Sequence, residues 1–367
     1  MKNEIVQEVR KLVEQLIRGE SEGQDWLKQA KFIDSLVKLP GDASDRRYYR
    51  IGSRHRSYIL MRTEPFAVQG AKFPFLVVQQ HLAGCGVDVP EVVDVDPEQG
   101  SVLLEDLGDV TLLRRLQEVS SSEVERHLYE RVLDSLVQLQ VSASPKAGVA
   151  KELDAFKLYF NFEKLMWEVN FAIEHFYQLH LKRSISDADR QVMDKGFSEI
   201  VRFLAAQPTV LAHRDFHSRN IMIASGADHS RKIGPSPADP AHERFVMIDF
   251  QDARMGPPQY DLVSLLRDSY YQLEELQIFR LVDYYIARFE ANSGARIDRH
   301  QFMRTFDLMA VQRNFKAIGS FASFLNRRGN ATYLKYIGNT FENIRRTLLK
   351  YPEYSGLREV LFHYYYF

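Results

Sequence analysis

Residues 209–224, TVLAHRDFHSRNIMIA, restrict the chain more than any other stretch. Two short apolar runs, TVLAH at 209–213 and NIMIA at 220–224, read as strands. The loop between them carries Asp215 inside His-Arg-Asp and Asn220 five residues later. Such residues favour loops in general, so an ordinary surface loop is the bland reading. The sharper reading is a catalytic loop, and it requires a second half downstream. That half is VMIDFQDARMGPPQYDLVSLLRD, where Asp249 ends a third apolar strand, RFVMID at 244–249. A Mg2+ ion wants hard oxygen ligands and keeps several waters, so one carboxylate and one amide oxygen suffice. Asp249 and Asn220 meet that need. Gly256-Pro257-Pro258 then breaks the chain before a helix, and Asp261 near its start would cap free N–H groups or bond the loop backbone.

Composition narrows the class of partner. Lys and Arg number 48 against 49 Asp and Glu, a net charge of −1, which supplies no global attraction to nucleic acid or to an anionic membrane. The single cysteine, Cys85, excludes an internal disulfide and a multi-cysteine zinc site and fits a reduced, cytoplasmic setting. The opening MKNEIVQEVRKLVEQLIRGE is charged throughout and has no apolar signal core. No run approaches the ~18 apolar residues of a membrane span. A monomer or weak dimer acting on a small molecule is the expectation. The length of 367 residues suits one large or two medium domains.

The coarse pattern changes once along the chain. Ile5, Val6, Val9, Leu12, Val13, Leu16 and Ile17 recur at helical spacing, and a second apolar pattern spans Trp26–Val37. Pro40-Gly41-Asp42 signals a turn. RRYYRI, SYILMR (57–62), EVVDVD and SVLLED read as strands, with a helix at 73–83. From residue 108 helices dominate: 121–141, 153–179, 185–206, 260–290, 298–325 and 335–350. Between NIMIA and RFVMID lies a polar stretch rich in Pro, Gly and Ser, which reads as an insertion in a hairpin. Inert surface is the favoured reading of it over a lid. The tail GLREVLFHYYYF is too aromatic for a solvated end.

His-Arg-Asp followed by Asn at this spacing is also the protein-kinase pattern, and Asp249-Phe250 is similar to the first two residues of Asp-Phe-Gly. Taken together, HRDFHSRN and IDFQDARMGPPQYDLVSLLRD resemble the aminoglycoside phosphotransferase superfamily, which includes choline kinases. Within it the chain looks most like the bacterial anomeric N-acetylmuramate/N-acetylglucosamine kinases. GDASDRRYYR, GVDVPEV, LLEDLG and QRNFKAIGSFASF extend the match over roughly residues 35–340. The resemblance implies an α+β, bilobal, protein-kinase-like fold. Its small lobe of antiparallel sheet would be residues 1–107 and its large, mainly helical lobe residues 108–367. It further implies ATP and Mg2+ as cofactors and an amino sugar as acceptor.

Carried residue by residue, the resemblance makes Asp215 the group that orients or deprotonates the acceptor hydroxyl, with Asn220 and Asp249 on the metal. Gly41, Asp42, Ala43 and Ser44 would turn over the phosphates with backbone N–H groups facing them; alone, that segment reads as a hairpin turn. The backbone from Glu105 to Leu107 would pair with adenine at the hinge. On the helix FEKLMWEVNFAIEHF, Glu168, Phe171 and His175 share about one face, and in the resembling family this helix lines the sugar pocket. Phe171 reads better as core, while Glu168 fits a structural and a sugar-binding role equally. Asp252 and Arg267 would reach the pocket or form internal ion pairs.

One departure stands out. YILMRTEP holds no lysine where kinases place one on the third strand, and residues 66–90 hold no glutamate to pair with it. Arg62 is the nearest cation and the candidate replacement. Two other readings stay open: an aminoglycoside- or choline-type phosphotransferase, and a catalytically silent kinase-like binding protein. Intact Asp215, Asn220 and Asp249 argue against silence.

Overall fold

The computed structural model describes residues 35–39, 46–52, 57–145, 153–225 and 243–366. Its β-branched and aromatic runs form one antiparallel sheet of β1 (Ser35–Lys38), β2 (Arg47–Gly52), β3 (Ser57–Arg62), β4 (Val92–Asp96) and β5 (Ser101–Glu105), in the order β1-β2-β3-β5-β4. The central strands β3 and β5 set Leu60 opposite Leu103 and Met61 opposite Val102. All four side chains are buried. Successive residues point to opposite faces of a sheet, so both faces are covered here. The tight β4–β5 turn needs Gly100, whose φ is +62° and where a Cβ would come within 2.3 Å of the Thr63 carbonyl oxygen. Helix α1 (Pro74–Gly84) runs between β3 and β4.

The described residues divide into two compact units. One takes the described parts of Met1–Gln79, Asp88–Val110 and Met222–Ile248; the other takes those of Gln80–Val87, Thr111–Ile221 and Asp249–Phe367. The sequence suggests a single crossing at residue 107, whereas this division is discontinuous. One of its breaks follows the strand pair β7 (Ile221–Ser225) and β8 (Glu243–Met247). Ile223 N donates to Val110 O at 2.8 Å and Met247 N to Asp88 O at 2.9 Å, which ties both strands into the first unit.

The second unit is mainly helical: α2 (Leu112–Glu118), α3 (Ser122–Ser142), α4 (Phe162–Ala172), α5 (Asp187–Ala205), α6 (Gln259–Leu266), α7 (Glu275–Ser293), α8 (Arg299–Arg328), α9 (Ile337–Leu348) and α10 (Ser355–Tyr366). Two short strands, β6 (Val210–Ala212) and β9 (Arg254–Gly256), pair antiparallel. Side-chain caps start several helices: Thr111 for α2, Asn161 for α4, Ser186 for α5 and Asp298 for α8. Helix α8 carries Phe306, Leu308, Met309, Val311, Phe315 and Ile318, all fully buried. Apolar residues around its whole circumference mark a core helix. It meets α4 at Gly319, where an added Cβ would stand 2.4 Å from the Ala172 Cα. The aromatic tail forms α10 and is built in: Tyr177 donates its hydroxyl to Leu361 O at 2.7 Å, and Tyr364 donates its own to Asp189 at 2.8 Å.

Three expected elements differ. Residues 153–179 are not one helix. Tyr159 bridges Met255, and Phe160 N donates to Met255 O at 2.9 Å, so this segment runs along β9 before Asn161 caps α4. The stretch 260–290 is two helices, because Asp268 turns its carboxylate onto Ser218 and Tyr270 N instead of continuing the spiral. Residues 35–37 belong to β1 rather than to an apolar helix. The two N-terminal helices otherwise, the phosphate turn Gly41–Ser44 and the polar insertion lie outside the described residues. No helix among the described residues is long and apolar enough to cross a membrane.

Candidate active site

The loop of residues 213–220 leaves β6 and enters β7, and two buried carboxylates hold its ends. Asp261, in the first turn of α6, accepts from His213 N at 2.7 Å and from Arg214 N at 2.9 Å. Asp268, just beyond α6, accepts from Ser218 N at 3.0 Å and from the Ser218 hydroxyl at 2.5 Å. These bonds sustain Arg214 at φ +84°, a left-handed conformation that costs a non-glycine residue on the order of 1–3 kcal/mol. Burial outweighs the two N–H bonds and pushes the Asp261 carboxyl up to about 7.

Asp215 faces two cations from α8. Its Oδ1 lies 3.3 Å from Arg313 Nη2 and 3.4 Å from Lys316 Nζ, while 26% of its own side chain stays exposed. Arg313 is anchored in turn by donating Nε to the Ser264 hydroxyl at 3.0 Å. Burial acts to raise the Asp215 carboxyl, but Lys316, Arg313 and Arg214 prevail and hold it well below the usual carboxylate range. Asp215 is therefore an ionised hydrogen-bond acceptor and a weak base, suited to orienting a hydroxyl. Burial lowers His217 to about 3, with Asp215 only partly opposing it; the ring is neutral at physiological pH and packs edge-on to Tyr270, 5.2 Å between centroids.

Asn220 donates its amide nitrogen to Asp215 O at 3.0 Å, which fixes the amide and reserves its oxygen for another ligand. Asp249 is exposed, sits at φ +66° and accepts from Gln251 Nε2 at 2.9 Å. Asn220 immediately precedes β7, and Asp249 stands two residues beyond its hydrogen-bonded neighbour β8. One amide oxygen and one carboxylate form a donor set that Mg2+ accepts. No cluster of three or more His, Cys, Asp or Glu among the described residues could hold a metal, so an all-protein cage is not what this site offers.

The remaining expected residues fall into distinct surroundings. Glu168 is buried; its Oε2 accepts from Gln312 Nε2 at 3.1 Å and its Oε1 lies 3.5 Å from Lys164 Nζ. Gln312 neighbours Arg313, so α8 brings Glu168 toward Asp215. His175 instead bonds with Asn326 and Arg327, and Asn326 lies about 20 Å beyond Arg313 along α8 at 1.5 Å per residue. Asp252 pairs with Arg214 at 3.3 Å. Arg267 is buried and engaged in a two-pronged pair with Glu275, the internal ion-pair alternative. In the first unit, Arg62 donates to the Ser101 hydroxyl at 2.8 Å. Glu105 gives its backbone N–H to Glu91 O and its carboxylate to Arg244. Leu107 follows Asp106, whose carboxylate accepts from Arg50 Nη2 at 2.9 Å and from Gly108 N at 3.0 Å.

Sequence reasoning missed Arg313, Lys316 and Arg214 as partners of Asp215. The available signal was two cations at i and i+3 within QRNFKAIGSFASF, an otherwise apolar helix with no reason to bury charge.

A family model described as "Phosphotransferase enzyme family" matches residues 35–233. The chain belongs to that family. An N-acetylmuramate/N-acetylglucosamine kinase of Neisseria meningitidis serogroup B is 32% identical to this phosphotransferase, covering 89% of each chain. A protein of the same name from Pseudomonas aeruginosa is 31% identical, covering 89% of this chain and 87% of its own. Among solved structures, aminoglycoside phosphotransferase APH(2'')-Ib aligns with TM-score 0.54 at 16% identity, over 87% of this chain and 96% of that one. Choline kinase LicA from Streptococcus pneumoniae aligns with TM-score 0.56 at 13% identity, over 88% and 97%. These likenesses establish the kinase-like α+β fold. The phosphotransferase is thus a small-molecule kinase.

Proposed function

We propose that this kinase uses ATP and Mg2+ to phosphorylate the anomeric hydroxyl of N-acetylmuramate, N-acetylglucosamine or a sugar of that kind. The observation that carries the reading is identity near 30% over nine-tenths of the chain with relatives named for those two sugars. Asp215 accepts a hydrogen bond from the hydroxyl and sets its oxygen in line with the terminal phosphate. Arg313 and Lys316 keep Asp215 ionised and in place. The anomeric hydroxyl is more acidic than an ordinary alcohol, so a weak base suffices. Most of the rate then comes from positioning and from neutralising charge. Asn220 and Asp249 hold Mg2+, which when bound neutralises charge on the phosphate oxygens. Gly41–Ser44, and in the first unit Arg62 and the backbone of Glu105–Leu107, are assigned to the nucleotide. Glu168 is assigned to sugar hydroxyls.

The test is to incubate the protein with ATP, Mg2+ and each amino sugar and to read the product by phosphorus NMR. A sugar 1-phosphate is the expected product. Phosphate only at C6 would refute the anomeric position and spare the kinase. Turnover of choline or an aminoglycoside, with none of the amino sugars, would replace this reading by the one its fold neighbours suggest.

A further inference from the structure

Three cations converge from separate segments of the second unit, one of them, Arg214, adjacent to Asp215. Lys164 sits in the first turn of α4, Arg214 in the catalytic loop, and Arg254 on β9. Strand pairing brings them together. Ala212 is the register partner of Arg254, which sets Arg254 near Arg214 two residues on. The bond from Phe160 N to Met255 O lays the start of α4 along the same strand. Two carboxylates interleave with them. Lys164 Nζ lies 3.5 Å from Glu168 Oε1 and Arg214 Nη1 3.3 Å from Asp252 Oδ2. The Arg254 guanidinium stands 5.2 Å from the Phe160 ring centroid. Both Arg214 Nε and Arg254 Nε are buried with no hydrogen-bond partner. A buried donor without an acceptor is costly, so these two guanidinium groups point to an acceptor supplied from outside.

We propose that Lys164, Arg214 and Arg254 form a subsite for one carboxylate carried by the acceptor sugar. This deepens the sugar-kinase reading and rests on it. With Asp215 and its partners on α8 included, five cations (Lys164, Arg214, Arg254, Arg313 and Lys316) stand against three carboxylates (Glu168, Asp252 and Asp215), an excess of positive charge that a bound carboxylate reduces. Guanidinium groups match carboxylate geometry through paired N–H donors. Burial, and then repulsion from Arg214, hold the Arg254 guanidinium below its ordinary value, and Lys164 is lowered first by burial as well; a bound anion relieves that repulsion. The nucleotide's phosphate chain is the other source of negative charge. Glu168 and Asp252 disfavour it, since they would stand among several phosphate charges. The same two carboxylates suit a sugar, whose hydroxyls donate to them. N-acetylmuramate differs from N-acetylglucosamine by a lactyl ether that bears one carboxylate, so the subsite grades the two sugars.

The experiment compares kcat/KM of the full chain on N-acetylmuramate, its neutral methyl ester and N-acetylglucosamine, and repeats the two sugars with Arg254→Gln. The free acid is expected to exceed its ester by about tenfold or more, the scale of one charged hydrogen bond. Arg254→Gln is expected to lower the ratio of N-acetylmuramate to N-acetylglucosamine by a similar factor, and Arg254→Lys to recover part of it. Equal kcat/KM for acid and ester overturns the subsite without any variant having to fold. So does an equal loss on both sugars in Arg254→Gln, above all with a matching rise in the KM for ATP, which would give these cations to the nucleotide. No turnover of any of the three compounds would overturn the sugar-kinase reading and this subsite with it.

Discussion

Asp215 carries opposing demands that its surroundings settle. Two cations stabilise its ionised form, which weakens it as a base and strengthens it as a fixed acceptor. Asp215→Asn keeps the size and removes the charge. Turnover should fall at least roughly a hundredfold while nucleotide binding, read by calorimetry, persists; near-normal turnover would mean that another residue orients the acceptor. Asp261 obeys the opposite logic. Its folded-state value is raised to about 7 from 3.8, so the folded chain holds a proton that the unfolded chain releases. The stability this group contributes is fully present below about pH 4 and is lost as pH rises through about 7. Denaturant unfolding at pH 5 and pH 8 should therefore show a pH-dependent loss in the wild type that is smaller in Asp261→Asn. Equal slopes would show that Asp261 does not bind that proton. Asp215 acts below this window, because its stabilised ionic form is lost only as pH falls through its depressed value.

Helices α4 and α8 lock through a single glycine. At Gly319 a side chain would be driven into the Ala172 backbone. Gly319→Val should cost about 1–3 kcal/mol through overpacking, lower the denaturant midpoint, and lower kcat as well, since α8 aims Arg313 and Lys316. A wild-type midpoint would show that the helices slide apart without penalty. The elements themselves were legible to different degrees. SYILMR reads as β3 with its observed bounds, because a short run of β-branched, aromatic and apolar residues between turns suits a strand buried on both faces. The stretch 153–179 was read as one helix, but β9 offers the backbone around Tyr159 and Phe160 better-placed partners. The cation pair on Asp215 was illegible for a plain reason: Arg313 and Lys316 lie about a hundred residues away in sequence. No local period encodes such a contact. Arg267 was left between pocket and ion pair, and only the start of α7 at Glu275 explains where its guanidinium goes.

At the scale of the molecule, chemistry and support are divided between few groups. Asp249 and Asn220 are the proposed metal donors, and they are not equivalent. Asp249→Ala removes the only carboxylate of the pair and should abolish Mg2+-dependent activity, whereas Asn220→Ala, which removes a neutral ligand, should weaken it less. Titrating Mg2+ against both variants tests this, and an unchanged midpoint in Asp249→Ala would rule out that residue as a ligand. The antiparallel sheet, the helical unit and the paired loops around Asp215 and Asp249 were legible from motif order. The return of β7 and β8 to the first unit was not, because it rests on long-range pairing, including bonds to Val110 and Asp88, that no composition shift announces.

The two carboxylates flanking α6 also set a clock. Residues 213–220 have the sequence of a loop, yet the amides of His213, Arg214 and Ser218 are bound to side chains that move only when α6 moves. Their hydrogens should exchange with deuterated solvent no faster than those of the helix that grips them. The proposed catalytic loop thus opens on the timescale of the core, and an acceptor bound there would meet a surface already shaped before it arrives.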